Sequence, residues 1–543
     1  MRFLVYKNRQ PASAPDIASA YMVAQDSVPL RAQIADHRGE IQIRLRTDSA
    51  AALCLLWDVP GFGQAMLQTT RLPDRTPPYI LTVELLRFQL FQLNVKLEDW
   101  GLLDFPDAAP LTSQVDAIRD VFLEALGKAH EPAEASAIAE PAIARAVLLG
   151  EQIAMYHSSL FLGRRVLMTS PHRREPTFGC TVDLLSFADD YRRRLAENFD
   201  FVYLPLSWKQ VEPKEKEINW TRMDSWVEWA VQRRLPIWTG PLISFDERFM
   251  PDWLFLWEHD FDALRDLIYE HITQAVRRYR GYIHTWTVAS GLAADNCFNL
   301  TFDQIIEMTR MAGTRAKQED PKARTVIEIT WPWGEYHARN PRTIPPLLYA
   351  DMVAQSGTNF DALSLQVYFG LGADGAYVRD LMSISAMLDR FANFAKPLHI
   401  SAVEVPSNTT ADPWDAWGGA KSVSDGGKWR RPWDEALQAE WLTQFFTLCL
   451  SKPYVRTVAW RDLADYEGHY LSHGGLLNAN LTPKASFTAY RRYRESFHQR
   501  KRVHSLGLEP LDLSAPGSTG PDVFEDALAS AGPPPPAPTP AGD

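Results

Sequence analysis

An alternation of strand-like and helix-like segments, repeated from residue 175 onward, constrains the fold most strongly. Each short apolar run is followed by an amphipathic stretch such as FADDYRRRLAENF or FDALRDLIYEHITQAVRRY. Buried apolar strands are typical of parallel sheets, and eight strand–helix units close into a barrel. The sequence therefore predicts an α/β protein with a (β/α)₈ TIM barrel. Its strands are expected at 178–182, 199–208, 236–244, 282–290, 325–330, 361–369, 397–405 and 455–463.

Three other segments surround the predicted barrel, which we assign to residues 175–497. Residues 1–77 contain alternating and apolar runs, such as EIQIRL and ALCLLWDV, and predict a small β-rich domain with a β-sandwich as candidate architecture. This domain is either a carbohydrate-binding module or a packing domain, and the absence of recognisable binding residues favours packing. Residues 78–166 carry apolar residues at three- and four-residue steps and predict a helical connector. The Pro/Ala-rich residues 505–543 predict disorder.

Composition narrows the class of partner and the compartment. The net charge of −11 argues against nucleic acid as a partner. No apolar run is long enough to predict membrane insertion. The N-terminus shows no secretory signal, and the four cysteines are isolated, so a reducing cytoplasmic location is expected. No phosphate-binding loop and no metal-ligand spacing occurs, so neither a cofactor nor a metal is predicted.

Several landmarks lie in order along the barrel segment. The second predicted strand ends at Trp208 and is followed by Glu212 and Pro213, PDWL occupies residues 251–254, and GGLLNANLTPKASFTAY follows Trp460 of the eighth strand. These landmarks resemble those of the family 10 glycoside hydrolases, the endo-xylanase family, over about 320 residues. The resemblance implies a barrel that acts on or binds β-linked polysaccharide.

The resemblance also locates the family's two catalytic glutamates, and this chain has neither. The fourth strand of the family ends in W-D-V-V-N-E, whereas this chain reads WTVASG, with Gly291 at the acid/base position. The seventh strand of the family ends in I-T/S-E-L-D-V, whereas this chain reads ISAVEV, with Ala402 at the nucleophile position. Neither residue can donate a proton or attack an anomeric carbon.

Other carboxylates remain near the predicted strand ends. Glycoside hydrolysis normally uses two carboxyl groups across the scissile bond. Glu404 is the best candidate, because it lies two residues beyond Ala402, about 6–7 Å closer to the barrel mouth. Asp295, after the fourth strand, and Glu328, on the fifth, are its candidate partners. They form either a relocated catalytic pair or ordinary salt bridges, and the second interpretation is favoured.

Aromatic and polar residues at the strand ends are the predicted sugar contacts. Gln366 matches the family, whereas Tyr368 stands where the family has His. A long segment after the seventh strand carries four tryptophans, and forms either an aromatic trough or a pinned lid. The predicted substrate-binding residues are Trp208, Trp286, Trp331, Trp333, Gln366, Tyr368 and Trp460.

Three functions remain open from the sequence. The first is a catalytically degenerate, xylanase-like protein that binds a polysaccharide or oligosaccharide, with β-1,4 linkages expected from the resemblance. The second is an active glycoside hydrolase that cleaves O-glycosyl bonds with relocated carboxylates, including Glu404. The third is a structural or interaction protein without a sugar ligand. Fold alone does not choose among them, and the sequence does not give the oligomeric state.

Overall fold

A computed structural model describes residues 1–12, 16–168, 176–340 and 342–499, so the tail predicted to be disordered lies outside the described residues. The chain begins with ten short strands: β1 (Arg2–Leu4), β2 (Tyr6–Lys7), β3 (Gln10–Pro11), β4 (Tyr21–Val23), β5 (Pro29–Leu30), β6 (Ala32–His37), β7 (Glu40–Leu45), β8 (Ala52–Val59), β9 (Gly63–Gln68) and β10 (Tyr79–Ile80). One sheet has the order β10-β1-β7-β6, and a second contains β9-β8-β4-β5. In β7, Ile41 and Ile43 are buried and alternate with more exposed residues, as the sequence pattern predicts.

Three helices follow these strands: α1 (Leu81–Asp99), α2 (Ala109–Gly127) and α3 (Pro132–Met168). Helix α3 packs against α1 and α2 on one side and against the barrel on the other. Contacts on both sides explain why it is rich in small apolar residues around its whole circumference. This helix therefore joins the N-terminal sheets to the barrel in one continuous hydrophobic core.

The remaining strands, with one exception, form a closed parallel barrel. They are β11 (Phe178–Thr181), β12 (Phe201–Pro205), β13 (Ile237–Gly240), β14 (Ile243–Ser244), β15 (Thr285–Ser290), β16 (Arg324–Ile329), β17 (Ala362–Tyr368), β18 (Leu398–Glu404), β19 (Lys428–Trp429) and β20 (Val455–Asp462). Strand β20 pairs with β11, and β13 pairs with β15, which closes the sheet. Strand β14 extends the third barrel strand, and β19 is the exception. The predicted α/β class, with a (β/α)₈ barrel after β-rich and helical segments, is confirmed.

An outer layer of helices surrounds the barrel. The helices are α4 (Asp189–Asn198), α5 (Trp208–Val211), α6 (Thr221–Gln232), α7 (Phe261–Arg278), α8 (Phe302–Glu319), α9 (Glu335–Arg339), α10 (Pro346–Gln355), α11 (Leu381–Ala392), α12 (Glu435–Ser451) and α13 (Ala485–His498). Asp260, Asp380 and Asp434 each cap a helix by accepting a backbone N–H, and Thr301 with Gln304 forms a capping box. None of the helices described is long and apolar enough to span a bilayer.

Irregular pairing near the barrel mouth affects the fourth, seventh and eighth strands. The register shifts between Thr287 and Ala289 of β15, and between Ile400 and Val403 of β18. In β20, Arg461 is an extra residue where Cys180 and Thr181 pair with Trp460 and Asp462. Such bulges redirect side chains and are common beside functional sites. Two of the three strands, β15 and β18, are those to which the resemblance assigns the catalytic glutamates.

The long loop after β18, residues 405–434, is held by segments far away in sequence. Within it, β19 pairs antiparallel with β9 of the N-terminal sheet. The carboxylate of Glu151 on α3 accepts hydrogen bonds from Trp429 Nε1 at 2.7 Å and from Arg430 at 2.8 Å. A Cβ at Gly63 would lie 2.2 Å from the Lys428 carbonyl oxygen, so this pairing requires glycine. The N-terminal sheet and the helical segment therefore position a loop of the barrel.

Candidate active site at the barrel mouth

The fourth barrel strand is followed directly by a glycine that lies close in space to a carboxyl group. Gly291 has a φ of +67°, a left-handed conformation that disfavours other residues. Asp295 lies one turn further on, and a Cβ built at Gly291 would be 2.8 Å from Asp295 Oδ2. The Asp295 carboxyl therefore occupies the space into which a side chain at position 291 would project.

The environment of Asp295 changes its ionisation. Burial, reinforced by the nearby carboxylate of Asp246, raises the pKa of Asp295 to about 7, although Arg248 opposes the shift. The residue nevertheless remains partly exposed. A carboxyl group that titrates near neutrality is suited to act as a general acid, and the partial exposure of the residue is compatible with that role.

Glu328 lies in the barrel lumen, where polar side chains of three strands surround it. It is 2% exposed. Its Oε2 atom accepts hydrogen bonds from Ser290 Oγ at 2.6 Å and from Gln366 Nε2 at 2.5 Å. The hydroxyl of Tyr368 donates to Gln366 Oε1 at 3.2 Å. This network links β15, β16 and β17 just below the mouth, and Gln366 is its partly exposed member.

Glu404 ends the seventh strand and has no exposed surface. Its Oε1 atom accepts the backbone N–H of Asp462 at 3.0 Å, and its Oε2 atom has no hydrogen-bond partner in the described part of the chain. Burial, followed by repulsion from Asp462, raises the pKa of Glu404 well above its ordinary value. Gly474 lies so close that a Cβ there would be 2.8 Å from Glu404 Cδ. Glu404 is therefore a carboxyl group whose ionisation is disfavoured and which lies beneath the loop that follows β20.

Aromatic rings and guanidinium groups meet above the lumen. The ring of Tyr470 is centred 4.4 Å from that of Tyr368 and 6.2 Å from that of Trp417. The guanidinium groups of Arg248 and Arg461 lie 5.4 and 5.1 Å from the Tyr470 ring centre. Tyr470, Trp417 and Arg461 are partly exposed. We call these five residues the mouth cluster.

Three of the predicted sugar-binding tryptophans have their rings covered. Trp208 stacks on His271 with the ring centres 4.1 Å apart. Trp286 is fully buried, and Trp460 is buried with its Nε1 donating to the Gly474 carbonyl oxygen at 3.0 Å. Stacking of a sugar on these rings stays a prediction, and in the present conformation no face of them is free.

The other predicted contacts are distributed over two places. Trp331 is partly exposed and lies 5.8 Å from the Tyr368 ring, beside the mouth cluster. It has a φ of +50°, which is unusual for a tryptophan and typical of strained functional positions. Trp333 instead lies under Arg379, 4.1 Å from its guanidinium, in a cavity between the N-terminal sheet and the barrel.

The four tryptophans of the long loop divide in the same way. Trp429 and Trp433 are buried and pin the loop. Trp414 is 52% exposed, and Trp417 belongs to the mouth cluster. The part of the segment around Trp429 and Trp433 fits the pinned-lid interpretation, and the open part around Trp414 and Trp417 fits the aromatic-trough interpretation.

Sequence reasoning did not single out Arg248, Arg461 or Tyr470. For Arg461 a signal existed: it directly follows the landmark Trp460 at a strand end. Tyr470 lies in a loop whose path depends on tertiary packing, so its sequence gave no comparable signal. Within the described residues, no three His, Cys, Asp or Glu side chains are grouped so that they could hold a metal ion.

Relatives with detectable sequence similarity are named endo-1,4-beta-xylanases. Endo-1,4-beta-xylanase B of Thermotoga neapolitana is 21% identical over 308 residues, 53% of this chain and 78% of that protein. Endo-1,4-beta-xylanase 3 of Hypocrea jecorina is 27% identical over 126 residues, 22% of this chain and 35% of that protein.

Solved structures of xylanases align at low identity. Native xylanase 10B from Thermotoga maritima has a TM-score of 0.46 and 16% identity, covering 63% of this chain and 98% of that one. Xylanase 10B from Thermotoga petrophila RKU-1, in complex with xylobiose, has a TM-score of 0.44 and 16% identity, with coverages of 62% and 96%. The sequence profile of glycosyl hydrolase family 10 matches residues 174–493, more than half of the length, and the chain therefore belongs to that family.

Proposed function

We propose that this chain binds a β-linked polysaccharide at the barrel mouth and does not cleave it by the family's two-carboxylate mechanism. The observation that carries the proposal is a contrast in exposure. Glu404 and Glu328 are buried and hydrogen-bonded, whereas Trp331, Trp417 and Gln366 remain partly exposed. The surfaces that could hold a sugar are thus accessible, and the two glutamates are not.

Cleavage by two carboxyl groups depends on their charge and on their access to the sugar. A nucleophilic carboxylate must be ionised and must reach the anomeric carbon. Burial, followed by repulsion from Asp462, raises the pKa of Glu404 well above its ordinary value and so disfavours the ionised form, and the Gly474 backbone covers the carboxyl group. Glu328 already accepts hydrogen bonds from Ser290 and Gln366. Neither carboxyl group is therefore available to attack or to activate water.

Binding of a sugar would use the mouth cluster and the partly exposed residues beside it. Aromatic faces stack on the C–H faces of sugar rings, and amide and guanidinium groups orient hydroxyl groups. Trp417 and Trp331 provide partly exposed rings, and Gln366 provides an amide. The relatives are named endo-1,4-beta-xylanases, so β-1,4-linked chains are the first ligands to test.

The direct experiment measures binding and hydrolysis on the same samples. The panel contains neutral and acidic β-1,4-linked oligosaccharides, mixed-linked glucan and aryl β-xylosides. We expect binding by calorimetry without release of reducing ends. Multiple turnovers of an unactivated glycan would contradict the degenerate assignment, and no binding anywhere on the panel would contradict the binding function.

Replacing Trp417 with alanine is expected to weaken glycan binding about three- to tenfold, the loss of one aromatic contact. The measurement is calorimetric affinity, with thermal unfolding to verify folding. Tyr282→Ala is the matched control, because Tyr282 is an exposed aromatic residue before β15 at the opposite end of the barrel. Equal effects of the two substitutions would place the ligand elsewhere.

A second candidate function is an active hydrolase in which Asp295 replaces the lost acid. Two observations favour it: the Asp295 carboxyl occupies the side-chain space of Gly291, and its pKa is raised to about 7. A protonated Asp295 could deliver a proton to a glycosidic oxygen. A second carboxylate or a water positioned by one would still be required.

Asp295→Asn separates the two candidates. If Asp295 is a general acid, activity requires its protonated form and should fall as pH rises through about 7. The substitution should then lower the rate on poor leaving groups at least about a hundredfold, and spare aryl glycosides with good ones. Under the binding proposal, neither protein turns over any glycan at pH 5 to 8, and Asp295→Asn changes affinity only.

A further inference from the structure

The eighth barrel strand directs an arginine into the mouth. Side chains alternate along the first part of β20. Thr457 hydrogen-bonds His399 at 2.9 Å inside the barrel, and Ala459 packs in a buried cluster with Phe201. Arg461 lies at the bulge, and its guanidinium is 5.1 Å from the ring centre of Tyr470 in the mouth cluster. It is partly exposed, so its guanidinium lies where a ligand in the mouth could reach it.

No carboxylate of the described residues hydrogen-bonds to Arg461, although Asp462 is close enough to act on its charge. The acids that act on it electrostatically include Asp462 and Glu404. The Asp462 oxygens accept hydrogen bonds from the Tyr466 hydroxyl at 2.7 Å and from the Tyr470 N–H at 2.6 Å. Ionisation of Glu404 is disfavoured. Among the described residues Arg461 forms no ion pair, and its Nε has no hydrogen-bond partner.

The second arginine of the mouth cluster provides the contrast. Arg248 Nε donates to both oxygens of Asp246, at 3.0 and 2.9 Å. A partly buried cation is costly when it lacks a partner, and an anionic ligand can remove that cost. The planar guanidinium fork matches a carboxylate in a two-point interaction. Arg461 is therefore the cation of the mouth cluster that remains free to bind a ligand.

The position of the other titratable group is compatible with such a ligand. Asp295 follows β15, the fourth strand, whereas Arg461 lies on the eighth strand, across the barrel. A sugar that spans the lumen would present different edges to these two groups. An acidic substituent would face Arg461, and a hydroxyl or glycosidic oxygen would face Asp295.

We infer that the glycan bound at the mouth carries a carboxylate, as a uronic acid does, and that Arg461 pairs with it. The inference rests on the proposed glycan-binding function and narrows its ligand class from β-linked glycans in general to acidic ones. Selectivity comes from the pairing, because a neutral sugar would leave the Arg461 guanidinium without a directly bonded anion.

Three β-1,4-linked hexasaccharides test the inference, since they differ only at C5. The xylose chain carries hydrogen there, the glucose chain a hydroxymethyl group and the glucuronate chain a carboxylate. We expect calorimetry on the full chain to give at least about tenfold tighter binding of the glucuronate chain, with the advantage shrinking as salt increases. A 6-sulfated glucose chain tests whether any anion suffices.

The outcomes separate this inference from the proposed function. Equal binding of all three chains would overturn the acidic-ligand inference and leave glycan binding intact. Binding of none of them would overturn both. Equal binding of the sulfated and glucuronate chains would overturn the assignment to a carboxylate.

Substitution of Arg461 provides the second measurement. Arg461→Met should weaken binding of the glucuronate chain about ten- to a hundredfold and leave the xylose chain unchanged, whereas Arg461→Lys should retain part of the selectivity. Arg456→Met is the matched control, because Arg456 is exposed near the start of the same strand. If Arg461→Met does not fold, the comparison of ligands on the unsubstituted chain still decides. Unchanged selectivity in a folded Arg461→Met protein would overturn the inference.

Discussion

Replacing Arg379 with methionine is expected to lower the free energy of unfolding by about 3–5 kcal/mol, the cost of breaking a buried ion pair. Arg379 pairs with Glu335 of α9, and the two side chains are 5% and 1% exposed. Glu335 also accepts the Gly375 N–H, and Arg379 lies over the Trp333 ring. Methionine would fill the space but leave the Glu335 carboxylate buried without a cation. Urea denaturation measures the change.

Two further variants distinguish charge from packing. Arg379→Met combined with Glu335→Gln should regain much of the loss, because no unpaired buried charge remains. Arg339→Met, which removes an exposed arginine from the same short helix, should change the stability by less than about 0.5 kcal/mol. A double variant no more stable than Arg379→Met would show that the guanidinium acts mainly through packing.

Glu404→Gln is expected to stabilise the protein at pH 8 and to have little effect near pH 4. Because the folded-state pKa of Glu404 is raised by burial and by Asp462, the folded state binds a proton that the unfolded state releases. Stability is therefore lost as pH rises from the unfolded pKa toward the folded one. Each unit of pKa difference corresponds to about 1.4 kcal/mol. Glutamine is neutral at every pH and avoids this loss.

Denaturation curves of both proteins across pH 4 to 8 provide the measurement. The difference between them should grow with pH, while the exposed Glu467, replaced by glutamine, should give no such trend. A Glu404→Gln protein less stable than the original at pH 8 would mean that an ionised Glu404 contributes to the fold. The same variant also tests catalysis, since the relocated-carboxylate hypothesis requires that it abolish turnover.

The barrel could be predicted because each strand–helix unit is recognisable from its own residues. Short apolar runs such as the one in β18, alternating with amphipathic helices, mark each unit without knowledge of its neighbours. Prediction of the candidate site also required tertiary contacts that the sequence does not show. Glu404 was expected to lie closer to the barrel mouth than Ala402, by the length of two strand residues. The loop around Gly474 instead covers it. Residues on a strand and the loop that packs over them are related only by tertiary contacts.

The tryptophans illustrate the same limit. The predicted strands and the family resemblance indicated which rings lie near strand ends, but whether a ring is free depends on what packs on it. His271 on α7 covers Trp208, and Glu151 on α3 binds Trp429. Both partners are distant in sequence, and neither belongs to a motif. Arg461 is the opposite case: its position beside a landmark was visible, but its lack of a carboxylate partner was not.

The pairing of β9 with β19 has a consequence for evolution and for engineering. A fragment trimmed to the family-matching residues 174–493 would lack β9 and Glu151, so β19 would lose its neighbouring strand and the Trp429 indole its acceptor. The loop that carries Trp417 would lose these two supports. Under the proposed function, the shape of the sugar-binding mouth therefore depends on parts of the chain outside the barrel, and substitutions in the first seventy residues are expected to alter binding.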